Sequence, residues 1–293
     1  MAERPTTRLR TLIEARDIVP APGVFDALTA QIAARRGFEA LYMGGTATTA
    51  VLLGAPDVGI TTMDEMAANA ARIVEATGLP LMADADNGYG NPLNVRRAVR
   101  AFERAGVAGI HIEDQMAPKR CGMLAGKALI SAPEMLAKIK AALDARTDPN
   151  FLIVARTDAA HIDTFEEAVE RCHAFEEAGA DMLFIVPPMT REQYASLKGR
   201  FRIPLMFHRD SSGRSPDLAM RELAETGHKI VIYPTALMFA AMKACDAVLA
   251  EIKKTGSLAA VADDLCTFGD LENVVEWGKV RALEERYDAM AKQ

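Results

Sequence analysis

The chain has 293 residues, 50% of them apolar and 25% charged, with a formal net charge of -6. A chain of this length buries roughly three quarters of its unfolded surface, enough for one barrel-sized core. No window approaches 18 uninterrupted apolar residues and the acidic balance offers no general attraction to nucleic acid, so neither a membrane span nor nucleic-acid binding is expected.

Short, nearly continuous apolar runs predict strands at residues 18–24, 40–43, 80–83, 109–113, 151–156, 182–186, 204–207 and 229–233. Such runs suit parallel strands covered on both faces. Helices are expected between them at 62–77, 94–105 and 164–178. Thr62 and Glu65 form a capping box for the first, and Gly106 and Gly179 stop the other two. Beyond the last strand, 236–254 and 271–291 read as two further helices. Eight strands alternating with helices predict an α/β fold of the (β/α)8 barrel type, residues 1–293 forming a single domain. A doubly wound open sheet is the alternative, but no GxGxxG follows any strand.

The N-terminal segment, with Arg at 4, 8, 10 and 16, has no apolar stretch of the secretory kind. The four cysteines show no CxxC spacing, which argues against a disulfide framework or zinc site and for a reducing, cytoplasmic setting. Cys172, Cys245 and Cys266 read as small core residues.

Functional groups of a barrel gather at the C-terminal strand ends. There the sequence places Asp84 and Asp86 after strand three, Glu113 after strand four with His111 in phase, and Arg156 near Asp158 after strand five. Alternation puts Asp84 and Asp86 on one side of the chain. Clustered carboxylates repel one another unless a cation lies between them, and hard oxygen donors suit Mg2+ or Mn2+. The other reading, that Asp84 and Asp86 shape a glycine-rich turn, stays open at this point. His111 reads as a satisfied polar residue of the barrel interior. Arg156 can fork a substrate carboxylate or pair with Asp158. Residues 114–130 are long enough for a mobile lid. Cys121 lies there beside Lys119 and Arg120, cations that favour the thiolate and suit it to acid–base work.

The segments LYMGG, GAPDVGITT, DADNGYGN, HIEDQ, PKRCG, VARTDA and IYPT, in this order, together resemble the isocitrate lyase/phosphoenolpyruvate mutase superfamily. The resemblance implies a (β/α)8 barrel whose C-terminal helix (270–293) is exchanged between subunits of a homotetramer. It implies Mg2+ held by Asp84, Asp86 and Glu113 with Asp57 in support, and a lid bearing Lys119 and Cys121. It assigns Cys121 as the proton donor to a departing carbanion, Arg156 as the substrate arginine, and Tyr42 with Gly44 and Gly45 as the keto-acid pocket. Cleavage of a 2-hydroxy acid to a 2-oxo acid and a carboxylate follows, with a bound divalent ion acidifying the hydroxyl; Tyr42 or a water is a candidate base.

Departures from the tricarboxylate lyases bear on specificity. Met123 replaces a His, Val186 a Glu, His208 an Asn and Gly44 a Ser. Each lost partner of a buried polar group costs about 1–3 kcal/mol. The expected substrate is therefore a small carboxylic acid of the substituted-malate type. The alternatives are an oxaloacetate-type decarboxylase or hydrolase, a phosphonate mutase, or a metal- and carboxylate-binding protein without turnover. A Schiff-base aldolase is set aside because no lysine stands at a strand's C-terminal end.

Overall fold

The computed structural model describes residues 3–122, 124–210, 213 and 215–292. The predicted strands are all present: β1 (Val19–Pro22), β2 (Leu41–Met43), β3 (Leu81–Asp84), β4 (Gly109–Glu113), β5 (Leu152–Thr157), β6 (Met182–Ile185), β7 (Leu205–His208) and β8 (His228–Tyr233). All pair in parallel, in the order β1-β8-β7-β6-β5-β4-β3-β2. A bridge between Gly23 and Tyr42, with the Val24 N–H donating to Tyr42 O at 2.8 Å, joins the two ends of that order. The sheet is therefore a (β/α)8 barrel rather than a doubly wound sheet.

The surrounding helices are α1 (Pro5–Ala15), α2 (Ala27–Arg35), α3 (Gly45–Leu53), α4 (Met63–Thr77), α5 (Pro92–Arg104), α6 (Ala132–Ala145), α7 (Ala159–Ile162), α8 (Phe165–Glu177), α9 (Arg191–Ser196), α10 (Met220–Glu225), α11 (Ala236–Thr255), α12 (Phe268–Val274) and α13 (Trp277–Ala291). Local chemistry sets their ends. Thr62 and Glu65 close the expected capping box on α4, and Asn91 caps α5 just before Pro92.

Period-two alternation divides the core. Met82, Val154, Met182, Phe184, Met206 and Ile232 fill the barrel lumen, while Leu81, Ile110, Ile112, Ile153 and Phe207 face the helices. The lumen is apolar below and charged above, because the next inward positions are Asp84, Glu113 and Arg156.

Two expectations change. The single helix over 271–291 is broken: Glu276 adopts φ 54° between α12 and α13, after the β-branched pair Val274–Val275. Cys172 is buried as expected, but Cys245 and Cys266 are exposed, because they lie on C-terminal segments that pack little against the barrel.

Gly23 sits where the barrel closes. A Cβ there would lie 2.5 Å from the carbonyl oxygens of Tyr233 and Pro234, both backbone. Gly23→Ala is expected to destabilise the fold by about 1–3 kcal/mol, since only a strand shift relieves the clash. Thermal unfolding checks this; an unchanged melting temperature contradicts the tight closure.

Candidate active site

Three strands supply the floor. Asp84 and Glu113 end β3 and β4, and Arg156 is the inward residue near the end of β5. Asp84 accepts the Gly45 N–H at 3.0 Å and the Asp86 N–H at 2.9 Å. A Cβ on Gly45 would come within 3.1–3.2 Å of Asp84, Asp57 and Lys119, so glycine is needed for this close approach. Glu113 lies 2.9 Å from the Arg156 guanidinium, which also contacts Asp158 at 3.0 Å. The expected Arg156–Asp158 pair is therefore present.

Alternation does not carry as far as Asp86. The strand ends at Asp84, and Asp86 turns into the left-handed region with φ 48°, a conformation that aspartate tolerates. Its carboxylate faces Lys119 at 2.6 Å, and Asp57 grips the same ammonium at 2.5 Å. His111 is fully buried, with Nε2 2.9 Å from the Tyr42 hydroxyl and Nδ1 3.6 Å from Asp84.

The loop over 114–130 covers this floor. Its ends are pinned together by a bridge between Gln115 and Leu129. The Cys121 N–H donates to Asp57 O at 2.9 Å. The Thr46 hydroxyl, which sequence reasoning missed, lies 3.0 Å from both Asp57 Oδ2 and Cys121 Sγ. Only the backbone turn after β2 brings Thr46 to the thiol, so no local motif signals it. Lys119 is directed at carboxylates rather than at Cys121. Met123 lies outside the described residues.

Beneath the loop is a cavity of about 40 Å3, room for a few waters. Tyr42, Gly44, Gly45, Asp57, Asp84, Cys121 and Arg156 supply its polar lining, and Phe184, Val186, Ile232 and Pro234 its apolar lining, with His208 beside them. The Arg156 guanidinium lies over the Phe184 ring at 5.6 Å. The sequence-predicted residues Asp86, Glu113 and Lys119 stand directly behind this lining.

A family model described as "Phosphoenolpyruvate phosphomutase" matches residues 9–253. The chain is 43% identical over 280 residues to the 2,3-dimethylmalate lyase of Eubacterium barkeri, covering 96% of this chain and 97% of that one. It is 45% identical over 265 residues to a 2-methylisocitrate lyase of Aeropyrum pernix, covering 90% and 85%. A solved oxaloacetate acetylhydrolase in complex with 3,3-difluorooxalacetate superposes with a TM-score of 0.91 at 34% identity, covering 98% and 99%. The chain belongs to the phosphoenolpyruvate mutase/isocitrate lyase superfamily. It is an enzyme of the lyase type, in a superfamily that also includes hydrolases and mutases.

The electrostatics of this superfamily site follow from burial. Desolvation pushes the Asp86 carboxyl up to about 7 against the pull of Lys119, and raises Glu113 despite Arg156. Burial also raises Asp84, but His111, Lys119 and Arg156 outweigh it and hold that carboxyl below the ordinary range. Burial pulls the His111 imidazole down to about 4 and raises the Tyr42 phenol, so both are neutral at pH 7. Neutral Tyr42 is a hydrogen-bond donor, which weakens its candidacy as base.

The residues fit a divalent ion. Counted as ionised, five carboxylates (Asp57, Asp84, Asp86, Glu113, Asp158) face three cations (Lys119, Lys127, Arg156), a formal excess of two negative charges that adds to burial in raising Asp86 and Glu113 and that a bound cation would relieve. Glu113 Oε1 is buried with no hydrogen-bond partner. Hard oxygen donors with unmet negative charge suit Mg2+ or Mn2+. Among the described residues no three such side chains already stand in ligand geometry, and the Lys119 ammonium lies between Asp57 and Asp86.

Proposed function

We propose that the chain is a divalent-cation-dependent carbon–carbon lyase that cleaves a substituted malate to a 2-oxo acid and a carboxylate. The observation that carries this reading is the mixed lining of the cavity: the charged or polar Arg156, Asp84 and Cys121 together with the apolar Phe184, Val186, Ile232 and Pro234. A 2-hydroxy diacid matches it, its carboxylates meeting the charged groups and its alkyl substituents the apolar side chains. A third carboxylate would meet Val186, which offers no partner. The similarity to a protein named 2,3-dimethylmalate lyase supports the same choice.

Asp84, Asp86 and Glu113, with Asp57 behind them, would hold the ion. When bound, Mg2+ or Mn2+ would supply Lewis acidity that favours transfer of the substrate hydroxyl proton to a water molecule, the remaining candidate base. The chain's residues do the rest. The Gly44–Gly45 turn leaves room for the 2-oxo end beside Tyr42, whose hydroxyl is fixed by His111 Nε2 at 2.9 Å. As the C2–C3 bond breaks, its electron pair passes to C3, where Arg156 stabilises charge delocalised into the distal carboxylate. Cys121 Sγ delivers the proton to C3, with Thr46 fixing the thiol. Lys119, buried between Asp57 and Asp86, keeps that acid pair ordered. Residues 114–130 act as the lid, opening for a substrate larger than the small enclosed cavity and excluding water once shut.

A homotetramer is part of the same proposal. Helices α11–α13 expose Phe239, Met242, Phe268, Trp277 and Tyr287, an apolar surface suited to burial against other copies.

A panel of 2-hydroxy di- and tricarboxylates, assayed for 2-oxo acid release with Mg2+ and again with chelator, tests the reading. Substituted malates are expected to give the highest kcat/KM, with activity abolished by chelator and restored by Mg2+. Tricarboxylates as best substrates, or full activity in chelator, would contradict it.

A further inference from the structure

The loop over the barrel mouth carries a second buried ammonium that the chemistry above does not use. Only 2% of the Lys127 side chain is exposed, although its neighbours Gly126 and Ala128 are exposed. Its Nζ donates to Asp158 Oδ1 at 2.7 Å and to Gly122 O at 2.6 Å. The first contact fastens the loop to the end of β5. The second fastens it to the residue after Cys121. The other oxygen of the same carboxylate, Asp158 Oδ2, takes the Arg156 guanidinium at 3.0 Å.

Gly122 itself is pressed against the site. A Cβ there would lie 2.9 Å from Val186 Cγ1 and 3.0 Å from Arg156 Nη2. Loop lysines ordinarily extend their ammonium into water, and a buried one is stable only when paired and hydrogen-bonded. Here the pairing partner is the carboxylate that orients Arg156.

We infer that Lys127 is the latch of the 114–130 loop, a positioning residue that ties loop closure to the placement of Arg156 through their shared carboxylate, Asp158. With the latch engaged, Cys121 sits over the cavity while Arg156 is held between Glu113 and Asp158. With Lys127 released, Gly122 O and Asp158 Oδ1 lose their common donor, the loop lifts, and Cys121 is uncovered. The catalytic consequence rests on the proposed role of Cys121; the latch itself does not.

Alkylation of Cys121 by iodoacetamide reads the latch without turnover. Cys245 and Cys266 are exposed and are first replaced by Ser; Cys172 is buried. Rates are compared at their high-pH limits, so that a change in thiol ionisation is not read as opening. Lys127→Met is expected to speed alkylation at least tenfold. Asp158→Asn is expected to do the same, and the double variant to do no more, because both remove one tie. Lys127→Arg, which keeps the charge and several donors, is expected to recover part of the protection. The same Lys127→Met enzyme should lose turnover ten- to a hundredfold with a higher KM. If Lys127→Met fails to fold by circular dichroism, Lys127→Gln takes its place. Alkylation within twofold of the parent rate overturns the latch. Fast alkylation with unchanged turnover keeps Lys127 as a loop tie and overturns its link to the placement of Arg156.

Discussion

Arg156→Met is expected to lose activity by about 10^3-fold and to lower stability by about 3–5 kcal/mol. The activity loss follows because one aimed donor at a developing charge is worth about 10^2–10^3 in rate, and Arg156 also fixes the substrate. The stability loss follows from its neighbours. Glu113 and Asp158 are fully buried and both depend on this guanidinium, at 2.9 and 3.0 Å. Removing one member of a buried ion pair leaves uncompensated charge, which costs that much. Lys127 remains for Asp158, but among the described residues Glu113 has no other cation within ion-pair distance. Arg156→Lys is not a rescue, because a single ammonium cannot reach two carboxylates in the fork that a guanidinium offers. Steady-state kinetics and thermal unfolding check both parts; wild-type stability together with wild-type kcat/KM would contradict the assignment.

Cys121→Ser is expected to lower kcat by about 10^3-fold while leaving KM within a few-fold. A positioned general acid contributes about 10^2–10^4, and a serine hydroxyl is a far weaker acid than a thiol. Size and placement hardly change: the Cys121 N–H still donates to Asp57 O, and Thr46 can hydrogen-bond a hydroxyl as it does the thiol. Substrate binding therefore survives while protonation of the carbanion fails. Thr46→Val should reproduce a smaller part of the kcat loss, since it loosens the thiol without removing it. Undiminished turnover by Cys121→Ser would exclude the thiol as proton donor.

The sequence showed the barrel more fully than it showed the site. Strands buried on both faces leave uninterrupted apolar runs, and the charged residues that end the runs of β3 and β4 or come near the end of β5 mark the barrel mouth. Asp84, Glu113 and Arg156 could be found in this way because strand alternation fixes their direction. Asp86 could not, because its orientation depends on a left-handed turn after the strand has ended. Thr46 and Lys127 carried no local signal. Their partners, Cys121 and Asp158, are distant in the chain, and a lysine in a polar loop looks like a solvated one until the loop is seen folded against β5. The break at Glu276 was likewise hidden, since 271–291 contains no proline and keeps a helical pattern across the turn.

Val186 and His208, two positions where the sequence departs from the tricarboxylate lyases, both line the cavity. Val186 is buried beside Gly122 and Arg156. His208 stands next to Phe184 and is neutral, burial having pulled its imidazole down to about 4.

Cleavage of a substituted malate in D2O with Mg2+, followed by NMR of the products, tests the central claim most directly. The account predicts a 2-oxo acid and a carboxylate in equal amounts, the carboxylate bearing one deuterium on the carbon that was C3 of the substrate. Oxalate as a product, release of carbon dioxide, or a carboxylate without deuterium at that carbon would contradict it.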